Sequence, residues 1–275
     1  MIERDWSAKA FCYLIVIIYA LFLFMPIYWM VSIAFKTQLE AFTYPPRLIF
    51  KPTLINFRAV LSDTQFMRSL LNSVIVAVGT VAISMVFAIP ASYGLSKLKT
   101  RFKTNVLAWL LFTRAAPGMI YILPYFIIYS RIGLLDTKIG LIIAHTIFTI
   151  PLVIWMMLSF FEDLPESVEE AAMIDGATPF QIMTKVTIPL ILPGISASAI
   201  LAFIFSWNEF LFALILTRRY AKTAPVTIVN FMAFEGTEWG KVAVGGIFIL
   251  LPVLFFAITI RKYLVRGLTA GAVKE

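Results

Sequence analysis

Apolar and polar positions alternate in long blocks along this chain. Six apolar segments can be read, roughly 10–33, 69–96, 105–130, 139–161, 186–217 and 242–260. Each is long enough to cross about 30 Å of hydrocarbon, which takes about 20 helical residues. The fifth exceeds that length, so part of it is expected to be interfacial or strongly tilted. No segment alternates residue by residue as a barrel strand would, so the spans are expected to be helical. The reading is an all-α polytopic membrane protein with six transmembrane helices. No fixed-period repeat, low-complexity tract or soluble linker breaks it, and one domain over 1–275 is expected.

One polar stretch interrupts the pattern. Residues 163–194 read DLPESVEEAAMIDGATPFQIMTKVTIPLILPG, an acid-rich island between apolar segments. Asp163 and Glu166 have capping-box spacing, Gly176 is a natural left-handed stop, and Thr178, Pro179 and Gln181 can open a second helix. A helix from about Leu164 to Asp175 would carry Val168, Ala171, Ala172 and Met173 or Ile174 on small and apolar faces. Glu166, Glu169 and Glu170 would line the other side. Phe180, Met183 and Val186 recur at helical spacing in the second helix. Two short capped helices in one solvent-facing loop suggest a docking surface, where Glu170 could pair with an arginine across the contact. An amphipathic segment lying on the membrane surface is the blander alternative. Such segments are normally rich in Lys and Arg, and here six carboxylates from Glu162 to Asp175 stand against Lys185 alone.

Composition narrows the function classes. The 275 residues are 61% hydrophobic and 14% charged, as in polytopic membrane proteins. The net charge of +8 has no soluble domain on which to build a nucleic-acid site, and basic residues beside spans commonly meet anionic lipid. Cys12 is the single cysteine and His145 the single histidine, which rules out a disulfide framework and a histidine-rich metal site within one chain. The first segment is too long for a signal-peptide core and lacks a small-residue cleavage site, so it is read as a retained span. Lys97, Lys99, Arg101 and Lys103 crowd the short loop 97–104, which marks that loop as cytoplasmic. Alternation then places both termini and the 162–185 loop in the cytoplasm, and loops 34–68, 131–138 and 218–241 outside. Counted over the whole chain the basic residues divide evenly between the sides, so local density carries this assignment.

No catalytic constellation is present: no ordered Ser/His/Asp set, no paired intramembrane carboxylates, no H-E-x-x-H and no G-x-x-x-x-G-K-[ST] phosphate loop. If ATP drives this protein, a partner binds it. Two ionisable residues fall within spans, Arg114 in LFTRAAPG and Glu209 in FSWNEFLF. Each is costly against lipid and is expected to face protein or an aqueous cavity. With Trp207 and Asn208, Glu209 offers a carboxylate, an amide and an aromatic face, the groups that engage hydroxyl-rich solutes. A purely structural contact, Arg–Glu or Glu–backbone, is the competing reading, and His145 is expected to make an interhelical hydrogen bond. Pro26, Pro90, Pro151, Pro193 and Pro252 read as packing kinks, whereas Pro117 and Pro124 beside Arg114 suggest a break lining a cavity. Ala77, Gly79, Ala82, Gly245 and Gly246 would permit close helix approach.

The stretch EAAMIDGATPFQIMTKVTIPL resembles the EAA loop of type I ABC-importer permeases, without gaps, at Glu170, Ala171, Ala172, Asp175, Gly176, Ala177, Phe180, Ile188 and Pro189. SWNEFLFAL at 206–214, VRGLTAGAVKE at 265–275, LSKLKTRFK and the pair Asn72–Ser73 resemble the carbohydrate-uptake, maltose-permease-like branch. The resemblance implies a non-catalytic subunit of the type I permease fold in a bacterial or archaeal inner membrane. Its partners would be a second homologous permease, two ABC ATPase subunits carrying ATP and Mg, and an extracytoplasmic solute-binding protein. The coupling loop would span about 162–187, with Glu170 pairing a basic residue of an ATPase and Gly176 making the turn. The C-terminal tail is a further candidate ATPase contact. Arg114 would suit an anionic sugar or serve as a helix tether. The same machinery importing a polyol or glycerophosphodiester is the alternative, followed by an ATPase-independent secondary transporter and, last, an integral-membrane enzyme.

Overall fold

The computed structural model describes residues 6–233 and 236–270, with side chains for 9–232 and 236–259. Arg4, all the side chains of VRGLTAGAVKE and residues 271–275 lie outside the described residues, and with them the expected tail contact. The helices are α1 (Trp6–Ala34), α2 (Gln38–Ala41), α3 (Ile55–Ser62), α4 (Thr64–Ser96), α5 (Arg101–Ala115), α6 (Gly118–Ile132) and α7 (Lys138–Glu162). They continue as α8 (Glu166–Ile174), α9 (Pro179–Gln181), α10 (Ile188–Leu190), α11 (Leu192–Trp207), α12 (Leu211–Leu216), α13 (Ala224–Thr227) and α14 (Trp239–Ala270). A π-helical segment, Ile182–Thr187, joins α9 to α10, and strands β1 (Met232–Ala233) and β2 (Gly236–Thr237) form one antiparallel pair.

Helices α1, α4, α7 and α14 carry the first, second, fourth and sixth expected spans, and each is long and apolar enough to cross a membrane. The third and fifth are bent pairs: the third breaks beside Pro117, where a break was expected, and the fifth in the segment expected to be partly interfacial or strongly tilted. Helices α5 and α6 meet at 87°, and the segment Pro179–Leu190 meets α11 at 79°, so six crossings are reached if each bent pair forms one span. Proline explains the first bend. Ala116 and Pro117 are extended, with ψ of 135° and 132°, because Pro117 lacks an N–H and disfavours helical backbone at the residue before it. Pro26, Pro90, Pro151 and Pro252 instead lie inside helices that continue through them.

The chain divides into two compact units. In the first, Met1–Met67 with Thr227–Leu250, Phe66 is fully buried against Phe231 and Phe248, at ring separations of 5.7 and 6.3 Å. Asn56 donates its amide to the carbonyls of Ala34 (3.0 Å) and Lys36 (2.7 Å). Lys36 is buried with its ammonium over Trp29 and Phe50. Gly245 lies against Ile228, as its small size permits.

The second unit is Arg68–Val226 with Leu251–Glu275, and α7 runs through its centre. Near one end of α7, Leu141 and Ala144 pack with Val76, Ile122, Tyr129, Phe212 and Leu216. Toward the other end, Val153, Met157, Leu158 and Phe161 pack with Ala88, Leu95, Leu110 and Ala202. His145 and Thr149 lie between these clusters along the helix. Thr149 shares a 2.7 Å hydrogen bond with Ser84, so the polar layer is bonded across helices, as low-dielectric surroundings require. Gly79 and Gly194 bring helices close, facing Ile142 and the Phe160 ring.

Loop 218–224 is held by side chains from elsewhere in this unit. Asn72 donates to the carbonyls of Tyr220 (2.9 Å) and Lys222 (3.0 Å), and Ser73 accepts from the Ala224 N–H (2.8 Å). Asp136, itself at a positive φ of 56°, accepts from the N–H groups of Arg218, Arg219, Tyr220 and Ala221 at 3.0–3.1 Å. Burial pushes its carboxyl up, but the four backbone donors outweigh that and hold it below the ordinary value.

Two outcomes test this packing. A methyl at Gly140 would meet the Leu134 carbonyl oxygen at 2.4 Å, and backbone cannot yield as a side-chain tip can. Gly140→Ala is expected to cost ~1–3 kcal/mol, read as a lowered thermal midpoint of the detergent-purified protein. Asp136 has a folded pKa below its unfolded value, so its contribution is complete above about pH 4 and is lost as pH falls through the folded value. Between pH 6 and pH 3 the wild type should therefore lose more thermal stability than Asp136→Asn, and equal losses would refute the latch.

Candidate functional site: an acidic helical hairpin and a polar cavity

The island 163–194 forms two short helical pieces joined at Gly176, as expected, but its first cap differs. Asp163 ends α7, its N–H bonded to the Ser159 carbonyl (3.0 Å), and Pro165 occupies the position before α8 without a side-chain cap. Glu166 does not reach back to Asp163. It pairs with Lys99 at 3.1 Å, and that hydrogen bond is the main reason its carboxyl is held below the usual range. Gly176 has φ +82°, while the Ala177 N–H bonds to Ala172 and the Gly176 N–H to Met173, both at 3.0 Å. This is the Schellman stop, which only glycine enters without steric cost. Thr178 and Gln181 form the expected reciprocal capping box, with Pro179 in the first turn.

The two adjacent glutamates of α8 face opposite ways. Successive helical residues turn by about 100°, so Val168, Glu169 and Ala172 point inward while Glu170, Ala171, Met173, Ile174 and Asp175 are exposed. Ile174 is 86% exposed and Phe180 70%, an unusual apolar surface beside carboxylates. Ala177 is half-buried and Pro189 exposed. The sequence reading grouped Glu169 with Glu166 and Glu170 on one polar side. Instead Glu169 is buried, paired with Lys97 through one oxygen and accepting from the Thr187 hydroxyl (3.3 Å) through the other. Lys103 pairs with Glu162 as well, so the basic 97–104 loop and the acidic island share one face, as alternation of spans requires.

Within the membrane segments, Glu209 sits in the break between α11 and α12. Its carboxylate accepts from the Phe212 (2.9 Å) and Ala213 (3.1 Å) N–H groups and stands 3.3 Å from His145 Nε2. That approach is an ion-pair distance outside hydrogen-bond geometry, which leaves Nε2 without a hydrogen-bond partner. The other ring nitrogen, Nδ1, meets Ser206 Oγ at 2.8 Å, the interhelical bond expected of His145. His145, Phe148, Thr149, Phe205, Ser206 and Glu209 line a cavity of about 80 Å³. Trp207 is not part of it. It is buried and stacked on Phe203 (5.5 Å), so the aromatic face expected for a solute is occupied by protein. Asn208 is exposed and returns its amide to the Ile204 carbonyl (3.0 Å). Arg114 lies at the end of α5, its guanidinium 5.3 Å from the Phe205 ring centre.

Sequence reasoning thus missed Glu169 and the joining of His145 to Glu209. The first was accessible only as an ambiguity between neighbouring carboxylates. The second joins residues 64 apart in the chain, for which local pattern holds no signal.

A family model described as "Binding-protein-dependent transport system inner membrane component" matches residues 88–270. The chain is 37% identical over 98% of its length, and 93% of the relative's, to a probable ABC transporter permease protein y4oR of Sinorhizobium fredii. It is 36% identical to the trehalose transport system permease protein SugB of Mycobacterium tuberculosis, covering 91% of this chain and 92% of that one. Among solved structures, a bacterial ABC transporter involved in import of the acidic polysaccharide alginate aligns with a TM-score of 0.75 and 25% identity, covering 96% of this chain and 99% of that one.

The Glu209 contacts carry a prediction of their own. Glu209→Ala removes the acceptor for two α12 N–H groups and the neighbour of His145, an expected loss of ~1–3 kcal/mol. With His145→Ala the double variant should depart from additivity by at least ~0.5 kcal/mol in thermal unfolding, as contacting residues do. Strict additivity would mean that the two side chains act separately.

Proposed function

The chain belongs to the family of inner membrane components of binding-protein-dependent transport systems, and on that footing we propose that it is one permease subunit of an ATP-driven sugar importer. Its 275 residues act as a single permease domain, and it forms half of the translocation pathway beside a second, homologous permease. Two ATPase subunits carry ATP and Mg and perform the hydrolysis, while this chain is non-catalytic. An extracytoplasmic solute-binding protein delivers the solute. Both termini and the 162–187 loop face the cytoplasm.

One observation carries this reading. The hairpin leaves Glu170, Met173, Ile174 and Phe180 exposed on a rigidly capped turn, a surface that combines an anchor for a basic side chain with apolar area. Exposed apolar residues grouped beside a charge are the usual marks of a protein contact. Glu170 pairs a cation of the ATPase, Ala171 and Ala172 permit close approach, and Asp175, Gly176 and Ala177 set the turn. Phe180 fills an apolar cleft, and Pro189 helps end the segment. ATP binding draws the ATPases together, and because the loop is gripped by them, the permease shifts between two arrangements favoured by different ligands.

Solute selection is assigned to the binding protein and to the pathway wall near Glu209 and Asn208. Sugar as the solute class rests on the trehalose and alginate systems similar to this chain. Between the two roles considered for Arg114, its stacking on Phe205 supports the tether, and a neutral sugar is therefore preferred over an anionic one.

The test uses the complete complex in lipid vesicles. Its binding protein is offered trehalose, maltose, an alginate oligosaccharide, sorbitol and glycerophosphocholine in turn. A sugar should raise ATP turnover most. Glu170→Ala and Phe180→Ala should each lower stimulated turnover at least tenfold and weaken co-purification of the ATPase, while membrane insertion is unchanged. Wild-type turnover in both variants would remove the coupling assignment, and selective stimulation by sorbitol or glycerophosphocholine would move the solute class.

A further inference from the structure

Glu169 is buried under α8 with both carboxylate oxygens engaged, by two different parts of the chain. Oε2 receives the Lys97 ammonium from the residue following α4, and Oε1 receives the Thr187 hydroxyl from the π-helical segment that leads toward α11. We propose that the Glu169–Lys97 pair is the link that carries displacement of the hairpin into α4 and the helix after it, a role separate from docking. The inference rests on the coupling assignment above and divides the labour between neighbouring glutamates, Glu170 toward the ATPase and Glu169 toward the membrane helices.

Three observations lead to the pair. First, α8 is only nine residues long, its inward apolar side chains are the half-buried Val168 and Ala172, and it packs chiefly on the π-helical segment, so the ion pair to the end of α4 is a separate hold. Second, the Lys99–Glu166 pair beside it is 82% and 70% exposed, and such pairs hold weakly in water and salt. Glu169 is only 8% exposed and Lys97 43%, so their attraction is screened less than that of the Lys99–Glu166 pair. Third, Lys97 does not dangle from a loop. Its ammonium lies 5.3 Å from the centre of the Tyr93 ring, and that ring packs edge-on against Phe161 at 5.4 Å in the cluster around α7. A pull on α8 therefore meets a contiguous path of contacts, Glu169 to Lys97 to Tyr93 to Phe161. The hairpin either moves that path with it or strips a buried carboxylate of its cation, which is strongly unfavourable.

The experiment uses the complete complex with MgATP and trehalose-loaded binding protein, or the sugar from the panel above that stimulates most. Coupling is read as turnover with the loaded binding protein divided by turnover without it. Glu169→Gln and Lys97→Met should each lower this ratio at least tenfold while the ATPase co-purifies in wild-type amount. The exchange Lys97→Glu with Glu169→Lys should recover at least a third of the wild-type ratio. Wild-type coupling in both single variants overturns the proposal. So does failure of the single variants to assemble without rescue by the exchange, since Glu169 would then serve folding alone. Glu170→Ala in the same assay separates the two readings. If it keeps the ATPase bound and coupled while Glu169→Gln uncouples, the docking assignment fails and the link stands.

Discussion

Most polar groups taken out of water among the described residues find a partner inside the protein, and the cost of leaving one unpaired orders the structure. Hydrocarbon offers no hydrogen bonds, so the backbone coils into helices, and helices that break must repair the ends they expose. The repair at α12 is made by Glu209, whose carboxylate takes two first-turn N–H groups. Between two apolar clusters, Ser84 bonds Thr149 and His145 Nδ1 bonds Ser206 for the same reason. The carboxylate and the histidine thus serve the packing, and both border the small cavity between these helices.

The acidic hairpin meets the same requirement in a different way. Six charged side chains pair between the 97–103 and 162–169 stretches, yet only Glu169 is buried, and it is the one whose two oxygens are both used. Its neighbour Glu170 remains in water with free valence for another molecule. The turn of about 100° between successive helical residues permits that division. The proposed coupling role would use this duality, one face for the ATPase and the other tied to the membrane helices.

Part of this was legible in the residue pattern. Spans in α1, α4, α7 and α14 followed from apolar length, since nothing but burial in lipid or protein accommodates such segments. The stop at Gly176 and the cap at Thr178 followed from local chemistry, because the groups that make them lie within a few residues of one another. Asp163 with Glu166 had the same spacing and failed. A distant cation, Lys99, competed for Glu166, and Pro165 imposed its own backbone. Trp207 and Asn208 likewise read as solute-facing from their types, and Trp207 was claimed by packing on Phe203 instead.

The sequence by itself determined the class, the main helices, the capped hairpin and the family that reads it, since each depends on hydrophobic length or on contacts within a single turn. Only the tertiary structure decided which of two neighbouring glutamates is buried, that His145 stands against Glu209, and that Asp136 gathers four backbone donors from a loop more than 80 residues away. Those outcomes belong to pairs whose partners lie far apart along the chain. Their energies depend on distance and burial after folding, quantities that no local pattern of residues contains.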